Sequence, residues 1–166
     1  MINVLPMPKF CFDWEINCIH IPARYQSLVK FAVRIAVLNG SRHTSCSVSV
    51  HGVNVNKIQK LNKRYRQKDK PTNVLSFSSD AFEGDTDIDH RVHRELGDIY
   101  VCLQVVAREA KEMGIQFEHH LIHMIVHATL HLNGYDHEKE DEAHRMKSLE
   151  VMLLHRMNIP NPYQLH

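Results

Sequence analysis

The stretch richest in chemistry is His127-Ala128-Thr129-Leu130-His131-Leu132-Asn133-Gly134-Tyr135-Asp136-His137, with three histidines in the pattern H-x-x-x-H-x-x-G-x-x-H. Residues four apart lie about one turn apart on one face of a helix, so His127 and His131 can aim two imidazoles at a common centre. Gly134 can take the left-handed conformation that ends helices, which lets the chain turn back and offer His137 as a third nitrogen. Three neutral imidazoles with a fourth position left for water are the donor set of a catalytic zinc, whereas structural zinc sites close with four protein ligands. One zinc ion is therefore the expected cofactor. In a chain with 14 histidines any one of them alone would be an ordinary helix residue. The joint spacing, with glycine in place, selects a metal site.

Zinc proteases of the same spacing need H-E-x-x-H, because the glutamate after the first histidine takes the proton from the attacking water. Here that position is Ala128, so a peptide or ester hydrolase would keep the metal and lose its base. His123, one turn before His127, has two readings: a residue at the mouth of the site, or a partly buried helix histidine. Asp136 beside His137 is a candidate acceptor that orients a ligand. No general base is assigned.

These residues need a scaffold. Phe10, Phe12, Trp14 and Ile16 alternate with polar residues as in a half-buried strand, and Leu28, Phe31, Ala32, Ile35 and Leu38 then recur at helical intervals up to Asn39-Gly40. Residues 45–51 alternate through Cys46, Val48 and Val50, and Gly52 with Asn54 opens a helix that turns Ile58, Leu61 and Tyr65 inward. A third strand spans 73–77, a polar, acidic loop 78–94 and a fourth strand 96–102, followed by a helix that stops at Met113-Gly114. The metal helix spans about 116–133 with Leu121, Ile122, Ile125 and Leu130 on its apolar side. A last helix from near Glu138 has Glu140, Asp141 and Glu142 in its first turn and Met146, Leu149, Met152 and Leu153 as its buried stripe. The expected fold is α+β: a mixed sheet of about four strands packed with about five helices, one of them a zincin-like metal helix.

The 166 residues suit a single domain over 1–166, and 43% hydrophobic with 23% charged residues is the balance of a globular protein. No run approaches the twenty apolar residues of a membrane span, and no secretory leader pattern opens the chain, so the expected location is the cytoplasm with no membrane partner. Cys11, Cys18, Cys46 and Cys102 form no C-x-x-C pair, which speaks for reduced thiols rather than a disulfide framework. The net charge of +1 hides a local concentration. Lys57, Lys60, Lys63, Arg64, Arg66, Lys68 and Lys70 face the single acid Asp69. Such a run is either a phosphate-attracting patch or the solvated face of a helix.

Three separated blocks resemble one family. Tyr65-Arg66-Gln67-Lys68-Asp69-Lys70-Pro71-Thr72-Asn73-Val74-Leu75-Ser76-Phe77 is similar to Y-R-x-x-D-x-P-T-[DN]-V-L-S-F, Glu95-Leu96-Gly97-Asp98-Ile99 to an L-G-D-I strand, and the histidine block to H-G-x-L-H-L-x-G-Y-D-H. These are the motifs of the YbeY family of metal-dependent endoribonucleases, which take part in ribosomal RNA maturation. The departures are Ala128, where the family usually has glycine, and Ser78-Ser79, where an apolar or proline-containing continuation is more usual. The resemblance implies that His127, His131 and His137 bind the metal and that Arg66 is the active-site cation. Cleavage of a phosphodiester builds charge on non-bridging oxygens that a guanidinium can meet with two parallel hydrogen bonds, the role expected of Arg66, with Lys68 and Lys70 as weaker substrate-binding cations. The resemblance further implies a zinc-dependent, single-strand-specific endoribonuclease of late small-subunit (16S) ribosomal RNA 3′-end maturation and ribosome quality control. Its partners would be ribosomal RNA and the small subunit or its assembly factors. The alternative from another class is a zinc-stabilised RNA-binding assembly factor.

Overall fold

The structure, a computed structural model, describes residues 13–40, 45–79, 93–135 and 139–164. Strand β1 (Asp13–Ile19) leads into helix α1 (Ala23–Gly40), strand β2 (Ser45–Gly52) and helix α2 (Val55–Arg66). Strands β3 (Val74–Ser78) and β4 (Arg94–Val101) follow, then helices α3 (Leu103–Met113), α4 (Phe117–Leu132) and α5 (Glu140–Arg156). Among the described residues the expected α+β architecture, a four-stranded mixed sheet with five helices, is the one observed. Of the first expected strand, Asp13 to Ile16 is found in β1, which extends to Ile19, while Phe10 and Phe12 lie outside the described residues. Most of the acidic loop, 80–92, also lies outside them.

The sheet order is β1-β2-β4-β3, with β1, β2 and β4 parallel and β3 antiparallel to β4. Parallel neighbours need a crossover, and α1 supplies the one between β1 and β2. Cys46, Val48 and Val50 of β2 and Leu96, Ile99 and Val101 of β4 are buried in the main core. Between Ser47 and Val48 the β2–β4 register slips by one residue, and Gly97 sits at the slip with φ +134°. A Cβ at Gly97 would lie 2.1 Å from the carbonyl oxygen of Phe77, so only glycine lets β3 come this close.

Helix α4 is buried on most of its sides and lies at the centre, touching α1, α3, α5 and the β3–β4 half of the sheet. Leu121, Ile125 and Leu130 are wholly buried in it, each a residue whose burial is typically worth about 1.5–3 kcal/mol. Two neighbouring helices are rotated from the stripes expected of them. In α1 the buried residues are Val29, Ala32, Val33, Ala36 and Val37, and Phe31 and Leu38 are exposed. Close packing of α1 on α4 favours small side chains at the contact and moves the larger ones to the flank. In α5 the buried set is Met146, Glu150, Leu153 and Leu154, at the i, i+4, i+7, i+8 intervals of one face, and Met152 is exposed.

Asn54 caps α2 by accepting a hydrogen bond from the Lys57 amide at 2.9 Å, as the opening at Gly52 and Asn54 suggested. Ile58 and Asn62 are buried, but Tyr65 is 55% exposed and rests its ring on Phe77 at 4.9 Å instead of turning into the core. Cys18, Cys46 and Cys102 are free thiols, and Cys11 lies outside the described residues. Among the described residues no helix is long and apolar enough to cross a membrane.

Candidate active site

Helix α4 ends as its sequence requires. Gly134, at φ +86°, donates its amide to the His131 carbonyl at 3.0 Å, and Tyr135 donates to the Leu130 carbonyl at 3.1 Å. This pair of bonds satisfies two orphan carbonyls and turns the chain off the helix axis. His127 and His131, one turn apart just before this turn, set their rings edge-on at 4.7 Å, with Nε2 atoms 3.2 Å apart. Two nitrogens bound to one tetrahedral zinc at about 2.0–2.1 Å are about 3.3 Å apart, so the pair fits a shared ion as it stands. Among the described residues no group of three metal-ligating side chains converges. His137, the expected third ligand, and Asp136 lie outside the described residues.

A cleft of about 200 Å³ opens over these rings, and its walls include Arg66, Asn73, Ser76, Met124, His127 and His131. The cleft thus brings Arg66, some sixty residues away in sequence, to the two histidines. Ala128, where a glutamate would serve a protease, forms part of the wall and is buried to 1% exposure. Lys68 and Lys70 are exposed on the connection from α2 to β3 and do not line this cleft.

The position of Arg66 is set by the end of α2. Gln67 takes the left-handed conformation at φ +57° and bonds to the Lys63 carbonyl at 3.1 Å. The buried Asn62 amide donates to the Lys70 carbonyl at 2.7 Å and so ties down the connection behind Arg66. Asp69, the only acid of the basic run, accepts from Lys63 Nζ at 2.6 Å and from Gln59 at 3.1 Å. The Lys63 bond first, then Gln59, holds its carboxyl below the usual range.

The cleft floor is braced from behind. Asn73 donates to Glu109 of α3 at 2.9 Å and its side-chain oxygen accepts from the Val74 amide at 2.6 Å, while Glu109 also pairs with His120 of α4 at 2.8 Å. Burial pushes the Glu109 carboxyl up, but the bonds from His120 and Asn73 outweigh it and hold it below its ordinary value.

On the far side of His127 stands a residue that the sequence reading did not single out. Glu150 of α5 is 1% exposed and accepts from His127 Nδ1 at 2.6 Å through one oxygen. Its other oxygen accepts from His123 Nε2 at 3.4 Å and from the Tyr163 hydroxyl. Burial raises the Glu150 carboxyl, yet the bonds from His123 and His127 with that from Tyr163 prevail and bring it down to about 2. The signal was present: Glu150 is an acid in the middle of the apolar face Met146, Leu153 and Leu154. His123 is a partly buried histidine on the Glu150 side of α4 and not a wall of the cleft. Asp98 bonds to His51 at 2.6 Å across β2 and β4 and lines no part of the cleft either.

Comparison with known proteins places this geometry in a family. The family model described as Endoribonuclease YbeY matches residues 13–158. A protein named Endoribonuclease YbeY from Chelativorans sp. (strain BNC1) is 40% identical over 158 residues, covering 94% of each chain. Its namesake from Acinetobacter baumannii is 44% identical over 120 residues, 72% of this chain and 75% of that one. Among solved structures, the solution structure of a Thermotoga maritima protein superposes with a TM-score of 0.55 at 25% identity, covering 86% of this chain and 91% of the other. With a match across nearly all of the described residues and a near full-length relative at 40% identity, the chain belongs to the Endoribonuclease YbeY family.

Proposed function

We infer that the protein is a metal-dependent endoribonuclease whose substrate is ribosomal RNA of the small subunit. The observation that carries this reading is the single cleft shared by Arg66, His127 and His131. His127, His131 and His137 would hold the ion, which we take to be zinc because imidazole nitrogens at this spacing suit it. When bound, zinc supplies Lewis acidity that brings the ionisation of water towards about pH 7 and draws charge from a phosphoryl oxygen. Arg66 can bind a phosphodiester through two parallel hydrogen bonds and meets the negative charge that develops on its oxygens as the bond to the leaving oxygen breaks.

The exposed cations of α2 and the following connection, with Lys68 and Lys70 among them, hold flanking phosphates without reading sequence. Tyr65 stands beside Arg66, half exposed, with its ring edge-on to Phe77 and the Arg64 guanidinium over it at 5.4 Å from the centroid, and an exposed aromatic joined to a cation suits the bases of an unpaired strand better than a duplex. Within this proposal the protein acts in the cytoplasm, as one domain, at late 16S ribosomal RNA 3′-end maturation and quality control, in contact with the small subunit or its assembly factors.

The test incubates metal-loaded wild type, Arg66→Ala and His131→Ala with single-stranded RNA, structured RNA and a peptide pool, with chelator controls. Single-stranded RNA should be cut by wild type alone, and the peptides by none. Cleavage that survives both the chelator and His131→Ala would overturn the proposal.

A further inference from the structure

Metal ligation by an imidazole depends on which ring nitrogen carries the proton. A carboxylate that accepts from Nδ1–H leaves the Nε2 lone pair outward and raises its basicity. Glu150 stands in that relation to His127, with 2.6 Å between Oε1 and Nδ1, while the His127 Nε2 faces that of His131. A carboxylate with one partner could still rotate about its terminal bond. Glu150 is fixed at its second oxygen by His123, one turn before His127 on α4, and by the hydroxyl of Tyr163.

Tyr163 is itself held in place. Its ring meets the His123 ring edge-on at 5.7 Å, Lys147 Nζ lies 4.3 Å from its centroid, and its amide donates to the Asn161 side chain at 2.9 Å. The segment that carries it is anchored by Ile159, which is buried and donates its amide to the Leu154 carbonyl at 3.0 Å. A charge buried this deeply is costly without full pairing. Three donors from two elements, one of them on a candidate ligand, are more than a helix–helix ion pair requires.

We propose that Glu150 is a positioning residue for the metal, acting through His127, and that Tyr163 aims Glu150, so that the segment 159–163 after α5 is part of the metal site. The inference rests on the reading of His127 and His131 as ligands, and its test separates the two. Co²⁺ affinity and the visible Co²⁺ spectrum are measured for wild type, Glu150→Gln, Tyr163→Phe and His131→Ala, and the tautomer of His127 is read from ¹⁵N chemical shifts of the metal-free protein.

Glu150→Gln should weaken Co²⁺ binding by about 10–100-fold and lose the fixed Nδ1–H tautomer. Tyr163→Phe should weaken Co²⁺ binding by a smaller factor and alter the Co²⁺ spectrum, beyond whatever it costs the unfolding temperature of the metal-free protein, and a purely structural tyrosine would change the unfolding temperature alone. Should Glu150→Gln fail to fold, Tyr163→Phe carries the test alone. Wild-type affinity and spectrum in Tyr163→Phe, and in Glu150→Gln where it folds, with binding lost in His131→Ala, would overturn this inference and leave the metal site standing. Wild-type affinity in His131→Ala would overturn the metal site and the inference with it.

Discussion

The two helices that flank the cleft are built on opposite terms. Helix α4 is buried on nearly every side, so its histidines are held by packing that cannot give without disturbing the core. Helix α2 buries little more than Ile58 and Asn62, and its cations are exposed, with Lys63 paired to Asp69. A metal site must hold its donors to fractions of an ångström, whereas a groove for a polyanion must follow a backbone of varying course. On the proposed reading, each helix has the surroundings its task demands. Arg66 is the exception on α2: it closes the helix beside the rigid wall, with the connection behind it tied down by Asn62.

If α4 is the rigid side, the largest loss belongs there. His131→Ala should lower metal affinity and RNA cleavage together by more than about 100-fold, checked by metal content and by cleavage of a labelled single strand. Arg66→Ala should cut cleavage by about 100–1000-fold with metal content near normal. Loss of metal in that variant would erase the distinction between the helices. On α2 proper, Lys60→Ala should weaken RNA binding only a few-fold and flatten the dependence of log affinity on log salt by about 0.7, the share of one phosphate contact on a single strand. A loss as deep as that of Arg66→Ala would make α2 part of the rigid machinery.

The smallest effect concerns the brace behind Asn73. Glu109 has a carboxyl held below its ordinary value, so its stabilisation is complete above about pH 4.3 and disappears as the pH falls through the lowered folded value. Glu109→Gln should therefore cost about 1 kcal/mol of unfolding free energy at pH 6 and less at pH 3. Urea unfolding at the two pH values measures the difference, and an equal cost at both would show that the charge of Glu109 plays no part.

The architecture could be read from local signals because those signals agreed with one another. Alternation marked β2, asparagine and glycine marked the ends of α2, α3 and α4, and the histidine spacing placed His127 and His131 on one face. What could not be read was rotation. A stripe drawn through the largest apolar residues put Phe31, Leu38 and Met152 inside, whereas close helix packing buries Ala32, Ala36 and their small neighbours. Glu150 was passed over for a related reason, since an acid in a helix gives no sign of a partner until His127, 23 positions earlier in the chain, is brought to it. Lys68 and Lys70 were grouped with Arg66 by proximity in sequence, but the turn at Gln67 leaves only Arg66 on the cleft wall.

Gly97 gives the groove one of its dimensions. The floor of the cleft is the segment running into β3, and β3 sits where it does because the facing residue of β4 has a hydrogen atom in place of a methyl group. Any larger residue there would force Phe77 away from β4 and disturb the strand that brings Leu75 and Ser76 to the cleft. The course of that wall is thus fixed by a hydrogen atom on the neighbouring strand, at a residue that does not itself line the cleft.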